Sequence, residues 1–411
     1  MSDVDLGRWI RPGDTVVWGQ ANAEPLGLIE ALLAQRRDLA RLRLFLGIGG
    51  SGRLQAEHAD AFDFLAYCGS GTNRALAQAG VLDILPIHYS QLPGLIRSGA
   101  LRIDVVMLQV SPADEHGRHS LGLANEYLVA ALDAARVVIA EVHEQVPWTH
   151  GERMLRADEI DLCVPAAYPL PQSPTPAASR VEEAIADRVA GLVEDGATLQ
   201  FGIGALPRAV LARLADRRDL GVHSGVIHDG VADFVEAGIV TNTRKPIDRG
   251  TTVTGLLMGS ERLHRWAHRN PGLALRGSDY THDAAVLASI DRFVAINSAI
   301  EVDLSGQINA ETAGGVYVGA VGGALDFLRG AQRSRGGVPI VALPSTARGK
   351  SRIVARLDGP VTTPRSDAGV VVTEHGIADL RGLSLRQRRR RLLDIADPRQ
   401  RVQLEGETAN S

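Results

Sequence analysis

Apolar runs of strand length alternate with helical patterns along the whole chain of 411 residues. The runs at 15–18, 42–47, 104–111, 137–142 and 160–164 predict strands, as do those at 198–202, 253–258, 292–296, 338–343 and 370–373. Several are continuous rather than alternating. That marks strands buried on both faces, hence parallel sheets with helices on each side. Glycines often follow these runs, where a parallel α/β fold places its tight turns.

The pattern breaks once. Five prolines between 165 and 178 exclude helix and disfavour a central strand, so the stretch reads as a linker. Directly after it, Ser179 and Glu182 have the spacing of a capping box. Val181, Ile185, Val189 and Leu192 then recur at helical spacing, and Gly196 ends the helix. The expected organisation is an α/β unit over 1–168, a linker over 169–178 and a second α/β unit over 179–411. Both units open with a glycine turn, a strand and a helix-forming segment (25–35 and 207–215). This hints at a duplicated fold with the active site between its halves.

Composition narrows the class. A net charge of −4 gives no general affinity for nucleic acid. Two cysteines, Cys68 and Cys163, supply neither a disulfide framework nor a zinc motif. The start of the chain has no apolar h-region, and no run approaches the roughly 20 apolar residues of a membrane span. The expectation is a reduced, cytoplasmic protein, a homo-oligomer by default. Only two of the 44 basic residues are lysines, Lys245 and Lys350, so each is a candidate for placing a compact charge on a phosphate.

Gly47–Gly52 satisfies G-x-G-x-x-G after a strand, but no acidic residue ends a second strand about 20 residues on, so a glycine-rich loop is preferred over dinucleotide binding. Gly349-Lys350-Ser351 lacks the first glycine of a Walker motif, because Pro344 stands there. His264 and His268 are spaced i, i+4 without a third ligand and read as a solvated helix face, so no metal site is expected. The basic run at 386–391 reads as a solvated helix face as well. The segment 201–207 carries more information: a buried strand ends in G-x-G and enters a helix through Pro207, which suits diphosphate or a developing oxyanion.

Long motifs in order then assemble into a resemblance. Val110-Ser-Pro-Ala-Asp-Glu-His-Gly117, the segment 139–151, the segment 201–207, Asp229-Gly-Val-Ala-Asp-Phe-Val-Glu-Ala-Gly238, the segment 297–307, the segment 321–327 and Val372-Thr-Glu-His-Gly-Ile-Ala-Asp-Leu-Arg-Gly382 together resemble the acetyl-CoA hydrolase/transferase family, which includes 4-hydroxybutyrate and butyrate–acetate CoA-transferases. The resemblance implies two related open α/β domains with the active site between them. It implies a coenzyme A thioester as substrate, a small carboxylate as acceptor and no permanently bound cofactor. It also implies that coenzyme A contacts Gly202, Ile203, Gly204, Ala205, Leu206, Gly322 and Gly323, and the loop holding Lys350. In the family's transferases a glutamate attacks the thioester and becomes in turn an anhydride and a glutamyl-CoA thioester. Here the matching segment, 221–230, places Gly225 at the glutamate position. Glu236 and Glu301 belong to other motif positions. Ala324 and His143 stand where the family often has Gln and Asn.

Three readings stay open. The chain is a transferase with another nucleophile. Alternatively, it is an acyl-CoA hydrolase in which the space left at Gly225 holds a water activated by His223, His228 or Asp229. The third reading is a non-catalytic acyl-CoA binder or partner-dependent subunit.

Overall fold

A computed structural model describes residues 4–173 and 176–409. Two large sheets carry the fold. The first has seven parallel strands in the order Leu82–Ile84, Phe62–Ala66, Leu42–Leu46, Thr15–Trp18, Val105–Val110, Val137–Val142 and Leu162–Pro165. The second has six, in the order Gly221–Val222, Thr198–Phe201, Phe293–Ser298, Val338–Ala342, Val370–Thr373 and Gly376–Asp379, with only the last pairing antiparallel.

The continuous apolar runs form the inner strands, as burial on both faces requires. Every residue of Thr15–Trp18, Val105–Val110 and Thr198–Phe201 is buried. In both sheets strand order reverses beside the unit's first strand. That strand pairs with Leu42–Leu46 and Val105–Val110 in the first sheet, and with Gly221–Val222 and Phe293–Ser298 in the second. Such reversals leave a crevice outside the carboxyl ends of the strands, where open α/β sheets bind ligands.

The two halves are joined by more than the connecting chain. Backbone pairings link Ala124 to Leu256, Glu126 to Gly277, Gly151 to Leu275 and His88 to Gly322. The run at 253–258 is two short strands, Thr252–Thr254 and Leu256–Leu257, rather than the single strand expected. The break falls at Gly255, where the chain from 124 to 126 crosses, and Asn125 N–H donates to the Gly255 carbonyl at 3.0 Å.

The proline-rich stretch forms neither helix nor strand beyond Pro165, and its Pro174 and Thr175 lie outside the described residues. It is pinned across the halves. Ser173 N–H donates to the Gly259 carbonyl at 3.0 Å, the Ser173 hydroxyl donates to Asn22 at 2.6 Å, and Leu170 is buried. The capping box at Ser179 and Glu182 opens the helix Arg180–Ala190. Among the described residues, no helix is long and apolar enough to cross a membrane.

Candidate active site

The two switch points face one another, and a cavity of about 180 Å³ lies between them. Gln20, two residues beyond the first strand of the first sheet, enters from one side. Gln200, Phe201, Gly202 and Asn297, at the ends of the central strands of the second sheet, enter from the other. Gln200 and Asn297 exchange side-chain amide hydrogen bonds at 3.0 and 3.2 Å, which fixes both amides.

One carboxylate lines this cavity. Glu126 is 3 % exposed, and both its oxygens accept from Gln20 Nε2 at 2.8 Å. Tyr89 is hydrogen-bonded to the same carboxylate. Gln20 is itself held by Tyr67 Oη at 2.7 Å and the Ile48 amide at 2.8 Å, both donating to its Oε1. Burial without a cationic partner pushes Glu126 up to about 7, and the Gln20 and Tyr89 hydrogen bonds only partly oppose that. Its backbone is held at φ 40°, in the left-handed region that a glutamate avoids. The pairing with Gly277 and the hydrogen bond from Glu126 N–H to the Arg276 carbonyl at 3.2 Å keep it there.

The wall opposite contains Gly225 and His282. A Cβ placed on Gly225 would lie 2.8 Å from His282 Cε1 and 3.0 Å from Nε2, and one on Gly323 would be closer still to the same ring. His282 is buried against Phe327 and Tyr89, with ring centroids 4.4 and 4.9 Å apart, and its Nδ1 lies 2.8 Å from Thr281 Oγ1. Burial lowers its pKa to about 3, so the ring is neutral. On one side the space beside Gly225 is taken by the imidazole of His282, and on the other Gly225 faces the cavity. The neutral ring packs against both glycines, and a side chain at 225 would press on it.

Comparison with known proteins gives the family. Residues 1–166 match the acetyl-CoA hydrolase/transferase N-terminal domain and residues 259–408 its C-terminal domain. The chain belongs to the acetyl-CoA hydrolase/transferase family. It is 39% identical to the 4-hydroxybutyrate coenzyme A transferase of Clostridium kluyveri over 398 residues, covering 95% of this chain and 93% of that one. It is 35% identical to the butyryl-CoA:acetate CoA-transferase of Anaerostipes caccae over 412 residues, covering 96% and 92%. The crystal structure of RipA from Yersinia pestis superposes with a TM-score of 0.94 at 35% identity, covering 98% and 95%.

In this acetyl-CoA hydrolase/transferase family member, the residues singled out from sequence separate into groups. Gly225, Gly202, Ile203, Gly322 and Gly323 line the cavity. Gly204 and His228 line an adjoining cavity of about 220 Å³, which shares Gly202, Ile203 and Val226 with the first. Gly204 sits at φ 110°, ψ −170°, a conformation reserved for glycine, and opens the helix Ala205–Ala212, whose Leu206 turns into the core.

The three polar residues expected to activate water each make structural contacts. His223 lines neither cavity; it is fully buried, with Nε2 3.2 Å from the Thr281 carbonyl. Burial and nearby Lys245 lower its pKa to about 3. His228 caps the helix Asp229–Glu236, its Nδ1 accepting from Gly230 N–H at 3.2 Å. Asp229 accepts from the Ser260 hydroxyl at 2.6 Å and from the Ser260 and Leu263 amides, so it caps the helix Glu261–Ala267.

The two lysines differ. Lys350 is exposed in a tight hairpin with Thr346–Ala347 and lines neither cavity. Lys245 is buried on the Val222 and Thr251 carbonyls. His264 is 4 % exposed, which corrects the reading of a solvated face. Among the described residues, no cluster of three or more His, Cys, Asp or Glu forms a metal site. The loop 47–52 explains its own glycines: Gly50 and Ser51 amides donate to the Glu24 carboxylate at 2.9 and 2.7 Å, so an internal anion already occupies that nest.

Sequence reasoning missed Gln20, Glu126, Tyr89 and His282. The available signal for Gln20 was its place just past the first strand of the sheet. Nothing local marks Glu126 or His282.

Proposed function

We propose that this family member hydrolyses a short-chain acyl-CoA thioester in the cavity between the two sheets. The observation that carries this reading is the contact of Gly225 with His282. By resemblance, Gly225 takes the place of the transferases' glutamate, and a buried neutral ring fills the space a side chain there would need. A glutamyl anhydride has no place at 225, while the small cavity between fixed amides suits a short acyl group. Gly322, Gly323 and Ala324 bring the positive end of the helix Ala324–Arg333 to the same cavity, where it would favour a developing oxyanion. The glycine loop at 202–204 leads into the adjoining cavity, which has room for the pantetheine arm.

CoA transfer to a carboxylate is the second reading. It is favoured by the names of the two relatives compared above, both CoA-transferases, and it requires a nucleophile elsewhere in the cavity.

The test uses purified protein with acetyl-, propionyl- and butyryl-CoA, with and without acetate. Thiol release independent of acetate supports hydrolysis. Acyl exchange that depends on acetate supports transfer. Binding of acyl-CoA with neither reaction leaves a non-catalytic binder.

A further inference from the structure

We infer that Glu126 is the general base of this hydrolysis, held in position by Gln20; the inference rests on the hydrolytic reading above. Glu126 is the carboxylate that lines the cavity, and it approaches from the first half of the chain, across Gly255 from Gly225. A Cβ on Gly255 would lie 2.9 Å from Glu126 Cγ and 3.2 Å from the Gly225 carbonyl oxygen, so Glu126 and the Gly225 wall meet around one glycine. The side chain cannot swing freely, because Gln20 Nε2 engages both oxygens and Gln20 is locked by Tyr67 and Ile48. As a nucleophile, one of its oxygens would have to give up its contact with Gln20 to form an anhydride. A base keeps them while accepting a proton on a remaining lone pair.

Glu126 takes a proton from water as the water oxygen bonds to the thioester carbon, and the carbonyl π electrons move to oxygen. When the tetrahedral oxyanion collapses, the carbon–sulfur bond breaks, and the departing thiolate receives the proton from Glu126. A carboxylic acid and free coenzyme A result. A base titrating near the working pH combines availability with driving force.

The groups facing Glu126 leave its titration legible. Tyr67, Tyr89 and Tyr127 are pushed well above their usual range by burial, the neighbouring Cys68 thiol is raised to about 11, and His282, against Tyr89, is lowered to about 3. Glu24, beyond Tyr127, is held on the Gly50 and Ser51 amides.

The experiment measures thiol release from acyl-CoA by wild type, Glu126→Gln and Glu126→Asp across pH, with acyl-CoA affinity measured in parallel. The wild-type rate is expected to rise through pH about 7. Glu126→Gln is expected to keep its affinity and lose about 10²–10⁴-fold in rate, with that rise abolished. Glu126→Asp should recover part of the rate. Turnover in heavy-oxygen water adds a readout that needs no variant: a base leaves the label in the product acid only. Label in the Glu126 carboxylate would overturn the assignment in favour of a covalent role. An unchanged rate and pH profile in Glu126→Gln would overturn it too. Wild-type protein that binds acyl-CoA but releases no thiol would instead sink the hydrolytic reading.

Discussion

The His282 imidazole lies against Gly225, with Cε1 2.8 Å and Nε2 3.0 Å from where a Cβ at 225 would stand. The ring also packs against Phe327, Tyr89 and Gly323, so a side chain at 225 would have to push it from those contacts. Glycine at 225 and histidine at 282 therefore form one packing unit, although 57 positions separate them in the chain (282 minus 225).

That unit sets the first prediction. Gly225→Ala should destabilise the protein by about 1–3 kcal/mol through overpacking. In a His282→Ala background the added cost should shrink, with a coupling of about 0.5–3 kcal/mol in a double-mutant cycle followed by denaturant unfolding. By the same contact, Gly225→Glu alone should not gain acetate-dependent acyl exchange. Exchange appearing in that single variant would show that the ring yields.

Gly204 opens the helix beside the second cavity at φ 110°, where a Cβ is strained whatever the surrounding space. Gly204→Ala should cost about 1–3 kcal/mol of stability or relax the loop. Either way acyl-CoA affinity should fall, which titration calorimetry reads directly.

Asp229 ties the helix Glu261–Ala267 to the helix it begins, through three hydrogen bonds to Ser260 and one to the Leu263 amide. Asp229→Ala should lower stability by about 0.5–2 kcal/mol, the usual worth of a lost cap. A thermal melt tests it.

Glu141 gives a pH prediction. Its Oε2 accepts from Tyr168 Oη at 2.9 Å, while its Oε1 is buried without a partner. Burial raises it from the usual 4.5 to about 7. A carboxyl raised on folding favours the folded state fully below pH 4.5, and that advantage is lost as pH climbs through about 7. At about 1.4 kcal/mol per unit, the loss is up to about 3 kcal/mol. Glu126, raised in the same direction, adds to it. Denaturant midpoints measured from pH 4.5 to 8 should fall, and Glu141→Gln should flatten the curve; an unchanged slope would exclude Glu141 as its source.

What the sequence by itself determined is local or repetitive. Continuous apolar runs such as 105–110 and 198–201 announce doubly buried parallel strands, because only burial on both faces tolerates them. The capping box at Ser179 and the glycines at 202 and 204 announce helix starts and a tight glycine loop, because each depends on a few adjacent dihedrals. Ordered motifs pointed to the family, and by resemblance put Gly225 where its transferases have a glutamate. Tertiary structure decided what stands beside Gly225. His282 reaches Gly225, and Glu126 reaches Gln20, only after two sheets meet carboxyl end to carboxyl end. His223, His228 and Asp229 looked available in the chain because a sequence does not show which hydrogen bonds a buried polar group will be required to make. Once packed, His228 and Asp229 serve helix starts and His223 faces the Thr281 carbonyl, while the carboxylate on the cavity wall is one that no local pattern marked.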